Sequence, residues 1–277
     1  MGRDVISAPL ACFDCHLEKP ETCALDAGEA AIYTARSPAK DTPNEDSLAV
    51  IPLRENSAVL MIADGLGGQP AGETAARIVI SCLMRSIDKA DREEIYLRTA
   101  ILDGIEQANE EILGLKTGAA TTLVVAEIQG SNLRTYHAGD SMIMLLGNRG
   151  RIKYSAIPHS PMGYALESGM IDESEARQHE ERHLISNYIG SPEMRVEIGP
   201  NLTIAAKDTL ILASDGLSDN LYAGEIVDIV RKGPLMPAAE RLAAECLNCM
   251  TRPSQGRMGH PDDLSFVMFR PGRRNRR

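Results

Sequence analysis

Apolar residues in this chain fall into two rhythms. Short unbroken runs such as Ala58 to Ala63 and Thr209 to Ala213 have the length and composition of buried strands. Longer stretches repeat their apolar residues at helical spacing. Gly72 to Asp88 places Ala75, Ile78, Val79, Cys82, Leu83 and Ile87 on one helix face, and about Arg92 to Leu113 does the same with Ile95, Leu102, Ile105, Ala108 and Ile112. Ser47 to Pro52 forms a strand before Ala58, across a polar Arg54-Glu55-Asn56 turn. Thr122 to Ile128, Leu133 to His137 and Ser141 to Leu146 follow as strands at hairpin spacing, which predicts antiparallel pairing. Strands resume at Leu202 to Ala206 and Thr209 to Ala213. Helices follow at Gly224 to Lys232 and Pro237 to Met250, and Ser265 to Arg270 is a last strand. Helices between and after strand groups predict helical layers over a pair of antiparallel sheets.

Two segments break these rhythms. Residues 1–30 show little periodicity and read as an irregular extension. Pro158 to Gly190 is more polar, with a short helix opened by Asp172 and Glu175 in capping-box spacing. It reads as a flap, about 155–195, inserted in a domain spanning 31–270. Residues 271–277 form a basic, solvated tail.

At 277 residues, 43% of them hydrophobic, the chain can bury a sizeable core. Its net charge of −10 disfavours generic binding to nucleic acid or an anionic membrane. No apolar run approaches a membrane helix or a signal peptide, so a cytoplasmic, monomeric protein with six reduced cysteines is expected.

The chemistry is acidic. Asp64-Gly65 and Asp215-Gly216 each end a buried strand, where an ionised carboxylate is costly unless something positive meets it. Glu45 and Asp46, Asp140, and Asp262 with Asp263 also lie at strand ends or turns. Each alone could simply cap a turn. Together, without a histidine or cysteine at ligand spacing, they form an oxygen donor set suited to Mg²⁺ or Mn²⁺ rather than zinc.

Six motifs carry a resemblance, in order: Asn44-Glu45-Asp46-Ser47; Ala63-Asp64-Gly65-Leu66-Gly67-Gly68 with Gly72-Glu73; Gly118-Ala119-Ala120-Thr121-Thr122; Ala138-Gly139-Asp140-Ser141; Ser214-Asp215-Gly216-Leu217-Ser218-Asp219; and Asp262-Asp263-Leu264-Ser265. From about Ile32 to Arg270 the chain resembles the metal-dependent protein phosphatase 2C family and its bacterial serine/threonine phosphatases. Gly169 to Arg177 resembles the core of that family's flap. The resemblance implies an α+β fold, a four-layer α-β-β-α sandwich of two antiparallel sheets with metals at one end. It implies hydrolysis of phosphoserine and phosphothreonine by a metal-activated water. Two Mg²⁺ or Mn²⁺ ions would be bound tightly, with a weaker third. Asp64 would bridge the two ions; Glu45 and the Gly65 carbonyl would serve one, and Asp215 and Asp262 the other. Asp140, with Asp215, would hold the third, and Asp46 would orient water. Asp263 stands where the family often has asparagine. The implied partners are phosphoproteins, substrates of a bacterial serine/threonine kinase.

Two departures stand out. Leu66 replaces a histidine that some members use as general acid. Asp41 stands near where an arginine often greets the phosphate, which leaves Arg36 or Lys40 to reach in; Arg36 is preferred for its forked donors. A catalytically weak adaptor of the same fold that binds phosphoproteins is the alternative function. There is no P-loop and no Cys-x5-Arg loop. Cys12, Cys15, His16 and Cys23 have zinc-like chemistry and a haem-like Cys-x-x-Cys-His order, but read more simply as part of a loosely docked extension. His137 reads as a sheet or core residue, His159, His179 and His183 as solvated flap residues, and Met142 with Met144 as packing.

Overall fold

The structure, a computed structural model, describes residues 5–66, 71–252 and 259–272. Gly67 and Gly68 of the second motif, and Arg273 to Arg277 of the predicted tail, lie outside them. The elements in chain order are β1 (Leu10–Phe13), β2 (Glu21–Leu25), β3 (Gly28–Ala35), β4 (Asp46–Leu53), β5 (Ser57–Asp64), α1 (Gly72–Glu93), α2 (Leu97–Leu115), β6 (Leu123–Gln129), β7 (Asn132–Ala138), β8 (Met142–Leu146) and β9 (Ile152–Ser155). Then come α3 (Pro161–Glu167), α4 (Glu173–Gln178), β10 (Glu197–Ile198), β11 (Leu202–Thr203), β12 (Thr209–Ala213), α5 (Asp215–Ser218), α6 (Ala223–Val230), α7 (Leu235–Thr251) and β13 (Leu264–Pro271).

The strands build two antiparallel sheets, as expected. One runs β1-β4-β5-β6-β7-β10, with β11 also on β7; the other runs β2-β3-β13-β12-β8-β9. Alternation along each strand sorts side chains between layers. On β5, Leu60 and Ile62 point into the core between the sheets, where they meet Val124, Leu212 and Val267. Val59 and Met61 face the other way, onto Val79, Leu83 and Ile105 of α1 and α2. On the second sheet, Tyr33, Phe266 and Met268 face out onto Leu242 and Cys246 of α7. Three apolar layers between four structural layers make the α-β-β-α sandwich.

The structure moves several boundaries. α1 continues to Glu93 and stops at Glu94, whose φ of 55° puts it in the left-handed region; the predicted start of the second helix at Arg92 belongs to the first. The predicted strand at Leu202 to Ala206 shortens to two residues, and β9 and α3 went unread.

The larger correction concerns residues 5–30, expected to be irregular. β1 pairs with β4, from Leu10 opposite Val50 to Phe13 opposite Ser47, and β2 pairs with β3. The segment thus supplies an edge strand to each sheet. Cys12 and Cys23 are buried in the core between the sheets. Burial, with Cys15 beside it, pushes the Cys12 thiol up to about 12, so these cysteines behave as small apolar residues. No helix among the described residues is long and apolar enough to cross a membrane.

Candidate metal centre

The acidic strand ends converge at one end of the sandwich because the register brings them there. Asp46 opens β4 and Asp64 closes β5, and the two stand opposite each other in the ladder. Asp215 starts α5 directly after β12, the neighbour of β13 in the other sheet. Its backbone N–H donates to Asp64 Oδ2 at 3.4 Å. Asp140 lies in the turn between β7 and β8, and Asp262 and Asp263 precede β13.

A cavity of about 430 Å³ opens at this end. Glu45, Asp64, Gly65, Asp140, Asp215 and Asp262 line it, while the flap contributes His183 to Ile185 and Tyr188. Every residue expected to ligate a metal is therefore in one chamber. Asp46 sits just behind the chamber, buried, with Oδ2 accepting from Ser214 Oγ at 2.9 Å.

The electrostatics are those of too many acids in too little water. Burial first, and then mutual repulsion, holds the Asp64 and Asp215 carboxyls well above the ordinary range. Burial and the nearby Asp263 push Asp46 up to about 7, and burial pushes Asp140 up to about 7. Lys40 is the ammonium in the chamber: Nζ lies 3.1 Å from Glu45 Oε2 and 3.1 Å from Asp262 Oδ1. Burial would lower its pKa, but Asp262 and Asp263 outweigh this and raise it.

The site fits divalent cations by two further observations. Asp46 Oδ1 and Asp140 Oδ1 are buried and have no hydrogen-bond partner, so each holds an unused lone pair. The backbone at Gly65 is kept bare by packing: a Cβ there would meet the Gly72 carbonyl carbon at 2.4 Å. Both suit hard oxygen coordination.

Two residues differ in place or role from expectation. Arg36 is the residue expected to contact the phosphate. It is exposed, its guanidinium donates to the Asp41 carbonyl at 3.4 Å, and Lys40 occupies the chamber instead because three carboxylates draw it in. Asp263 does structural work that sequence reasoning did not assign. Its carboxylate accepts from the backbone N–H of Ser37 at 2.7 Å and of Glu45 at 2.8 Å, tying the loop before β4 to the start of β13. Asp219 was quoted only as part of a motif; it is half-buried near Asp215, where Arg177, His183 and Arg182 temper the upward push of burial.

A tighter convergence occurs elsewhere. Among the described residues, ligand atoms of His137, His159 and Glu197 lie within 4.8 Å of one another. His159, expected to be solvated, is buried, and its ring stacks on His137 with centroids 4.4 Å apart. The hydrogen bonds argue against a metal there. His159 Nδ1 accepts from Gly139 N–H at 3.2 Å and from Asn187 Nδ2 at 2.8 Å, so its proton is on Nε2, aimed at Glu197. Asn187 cannot be turned around, because its Oδ1 accepts from Arg195 N–H. The cluster instead clasps the two roots of the flap beside the Asp140 turn. Cys12, Cys15, His16 and Cys23 form no such convergence among the described residues.

Residues 35–254 match the sequence profile of the family described as protein phosphatase 2C. The serine/threonine phosphatase stp of Listeria monocytogenes is 28% identical over 201 residues, 68% of this chain and 77% of that protein. A serine/threonine phosphatase from S. agalactiae has the same fold, with a TM-score of 0.73 and 22% identity over 88% of this chain and 99% of that one. The catalytic domain of the serine/threonine phosphatase PstP, solved with two manganese ions, aligns with a TM-score of 0.67 and 25% identity over 87% of this chain and 96% of that one.

Proposed function

Because this chain belongs to the protein phosphatase 2C family and is a protein phosphatase, we propose that it hydrolyses phosphoserine and phosphothreonine in proteins at a centre of two Mg²⁺ or Mn²⁺ ions. The observation that carries this reading is the one chamber lined by six expected oxygen donors, five of them carboxylates, of which Glu45 and Asp262 pair with Lys40. Asp64, the Gly65 carbonyl, Glu45, Asp215 and Asp262 are the residues assigned to the two ions, and Asp140 with Asp215 to a weaker third. The two manganese ions bound by PstP support the count.

Divalent ions in such a centre supply a nucleophilic water near neutral pH and offset charge on the phosphoryl oxygens. The chain's own residues do the rest. Asp46, fixed by Ser214 just behind the chamber, has Oδ1 without a partner and is assigned to accept a hydrogen bond from the attacking water and so to orient it. Lys40 faces the chamber and is assigned the phosphate contact first expected of Arg36. Leu66 lines the same chamber without a proton to give, so the leaving serine or threonine oxygen takes its proton from water or from another group of the chamber. The substrates expected are phosphoproteins made by a bacterial serine/threonine kinase. The adaptor reading drew on the missing phosphate arginine and the unusual N-terminal segment; the gathering of the expected acids around one chamber favours hydrolysis over it.

Hydrolysis of p-nitrophenyl phosphate and of a phosphothreonine peptide, with Mn²⁺ or with EDTA, tests this. Turnover should require Mn²⁺ and fall at least about a hundredfold in Asp64→Asn, with manganese binding weakened in calorimetry. Metal-independent turnover, or none from folded protein with Mn²⁺ present, would sink the proposal.

A further inference from the structure

A second cavity, of about 330 Å³, lies beside the carboxylate chamber and shares Asp140 and Asp215 with it. Its origin is a gap in the helical layer. The outer face of β8 carries Met142 and Met144, but α7 packs over β3 and β13. At the β8 side the cover passes to the flap, and space remains between them. Met142, Met144, Ile152, Met162, Leu166 and Ile226 give it apolar walls. Of these, Leu166 and Ile152 remain 38% and 42% exposed. The cavity is in the size range of ligand pockets, and open apolar surface of this kind gains by being covered.

We propose that this cavity is a specificity subsite that takes one large apolar side chain of the phosphoprotein substrate, close in sequence to the phosphorylated residue. The proposal rests on the phosphatase reading above. Three observations select this occupant. The shared wall at Asp140 and Asp215 means that a chain with its phosphate in the chamber passes the mouth of the cavity. The volume holds a leucine, methionine or phenylalanine side chain but no folded element. Three unbranched methionines in the walls can repack around side chains of different shape, which suits a class of apolar residues rather than one. Met162 and Leu166 belong to α3, so the flap itself forms one side of the subsite.

The test is a set of phosphothreonine peptides that differ only in placing leucine, phenylalanine or serine at each of the four positions on either side. Metal-dependent hydrolysis of p-nitrophenyl phosphate is measured alongside. A large apolar residue at one or two positions should raise kcat/KM about tenfold over serine, mainly through KM. The double variant M162S/L166S should remove that preference, and M162L should keep it. Equal kcat/KM at every position, with p-nitrophenyl phosphate hydrolysed normally, overturns the subsite and spares the phosphatase reading. A preference that persists in a folded M162S/L166S variant also overturns it. No metal-dependent hydrolysis of either substrate overturns both.

Discussion

A carboxylate that accepts two backbone N–H groups cannot be replaced silently by an amide. Asp263 is buried and holds Ser37 and Glu45 in this way. In Asp263→Asn one oxygen becomes an NH2, which would face a donor and leave it unpaired. The expected cost is about 1–3 kcal/mol of stability, read by denaturant unfolding, and weaker Mn²⁺ binding, because Glu45 loses its tether. Lys40 poses the opposite case. Its ammonium is the counter-charge to Glu45 and Asp262. In EDTA, Lys40→Ala should lower the thermal midpoint, and calorimetry should find Mn²⁺ bound more tightly, since one competing cation is gone; an unchanged Mn²⁺ affinity would argue against that role. Asp64, Gly65 and Asp215 were legible in the sequence because an acid followed by glycine at the end of an apolar run is conspicuous. Lys40 over Arg36 was not. Which side chain enters the chamber depends on where the carboxylates of Glu45, Asp262 and Asp263 lie, and the last two are more than two hundred residues away in the chain.

Elements with a strong period were read correctly and those held by context were missed. β4, β5, β6 and α1 declare themselves, because each buries a continuous face. β1 has four residues with one fully buried, and its order comes from pairing with β4 rather than from its own pattern. The flap was located from its polarity, and its capping box from Asp172 and Glu175. In the structure Asp172 accepts from Ser174 and Glu175, and Glu175 accepts from the Asp172 N–H. α4 has six residues and none of them fully buried, so its cap matters more than its packing. Asp172→Ala should cost the helix about 1 kcal/mol. Limited proteolysis should cut within residues 168–182 faster, while the global unfolding midpoint stays put. A fall in that midpoint would mean that the flap unfolds together with the sandwich. The clasp of His159 and Asn187 on Gly139 was invisible in sequence, because it joins the two ends of the flap to a turn outside it.

At the scale of the whole molecule, the cluster of acids sets the pH dependence of the metal-free protein. Asp46 and Asp140 are pushed from 3.8 to about 7, and Asp64 and Asp215 are raised as well. Between those limits the folded protein retains protons that the unfolded chain has lost. Their contribution to stability is therefore complete below about pH 4 and disappears as pH rises through about 7. In EDTA the thermal midpoint should fall between about pH 5 and about pH 7.5, and Mn²⁺ should raise it most at the upper end. A metal-free midpoint that climbs over this range would contradict the acid cluster as drawn. The second sheet carries a different consequence. Its interior is closed by β13, which pairs residues 264–271 with residues 28–35 of β3. A ribosome making this chain releases β3 early and β13 late. Until then the early strand has no neighbour on that side, and Asp262 has not joined the other acids. Synthesis therefore withholds the complete acid cluster until β13 has emerged, and a product truncated before that point lacks both Asp262 and the strand that joins β3 to β12.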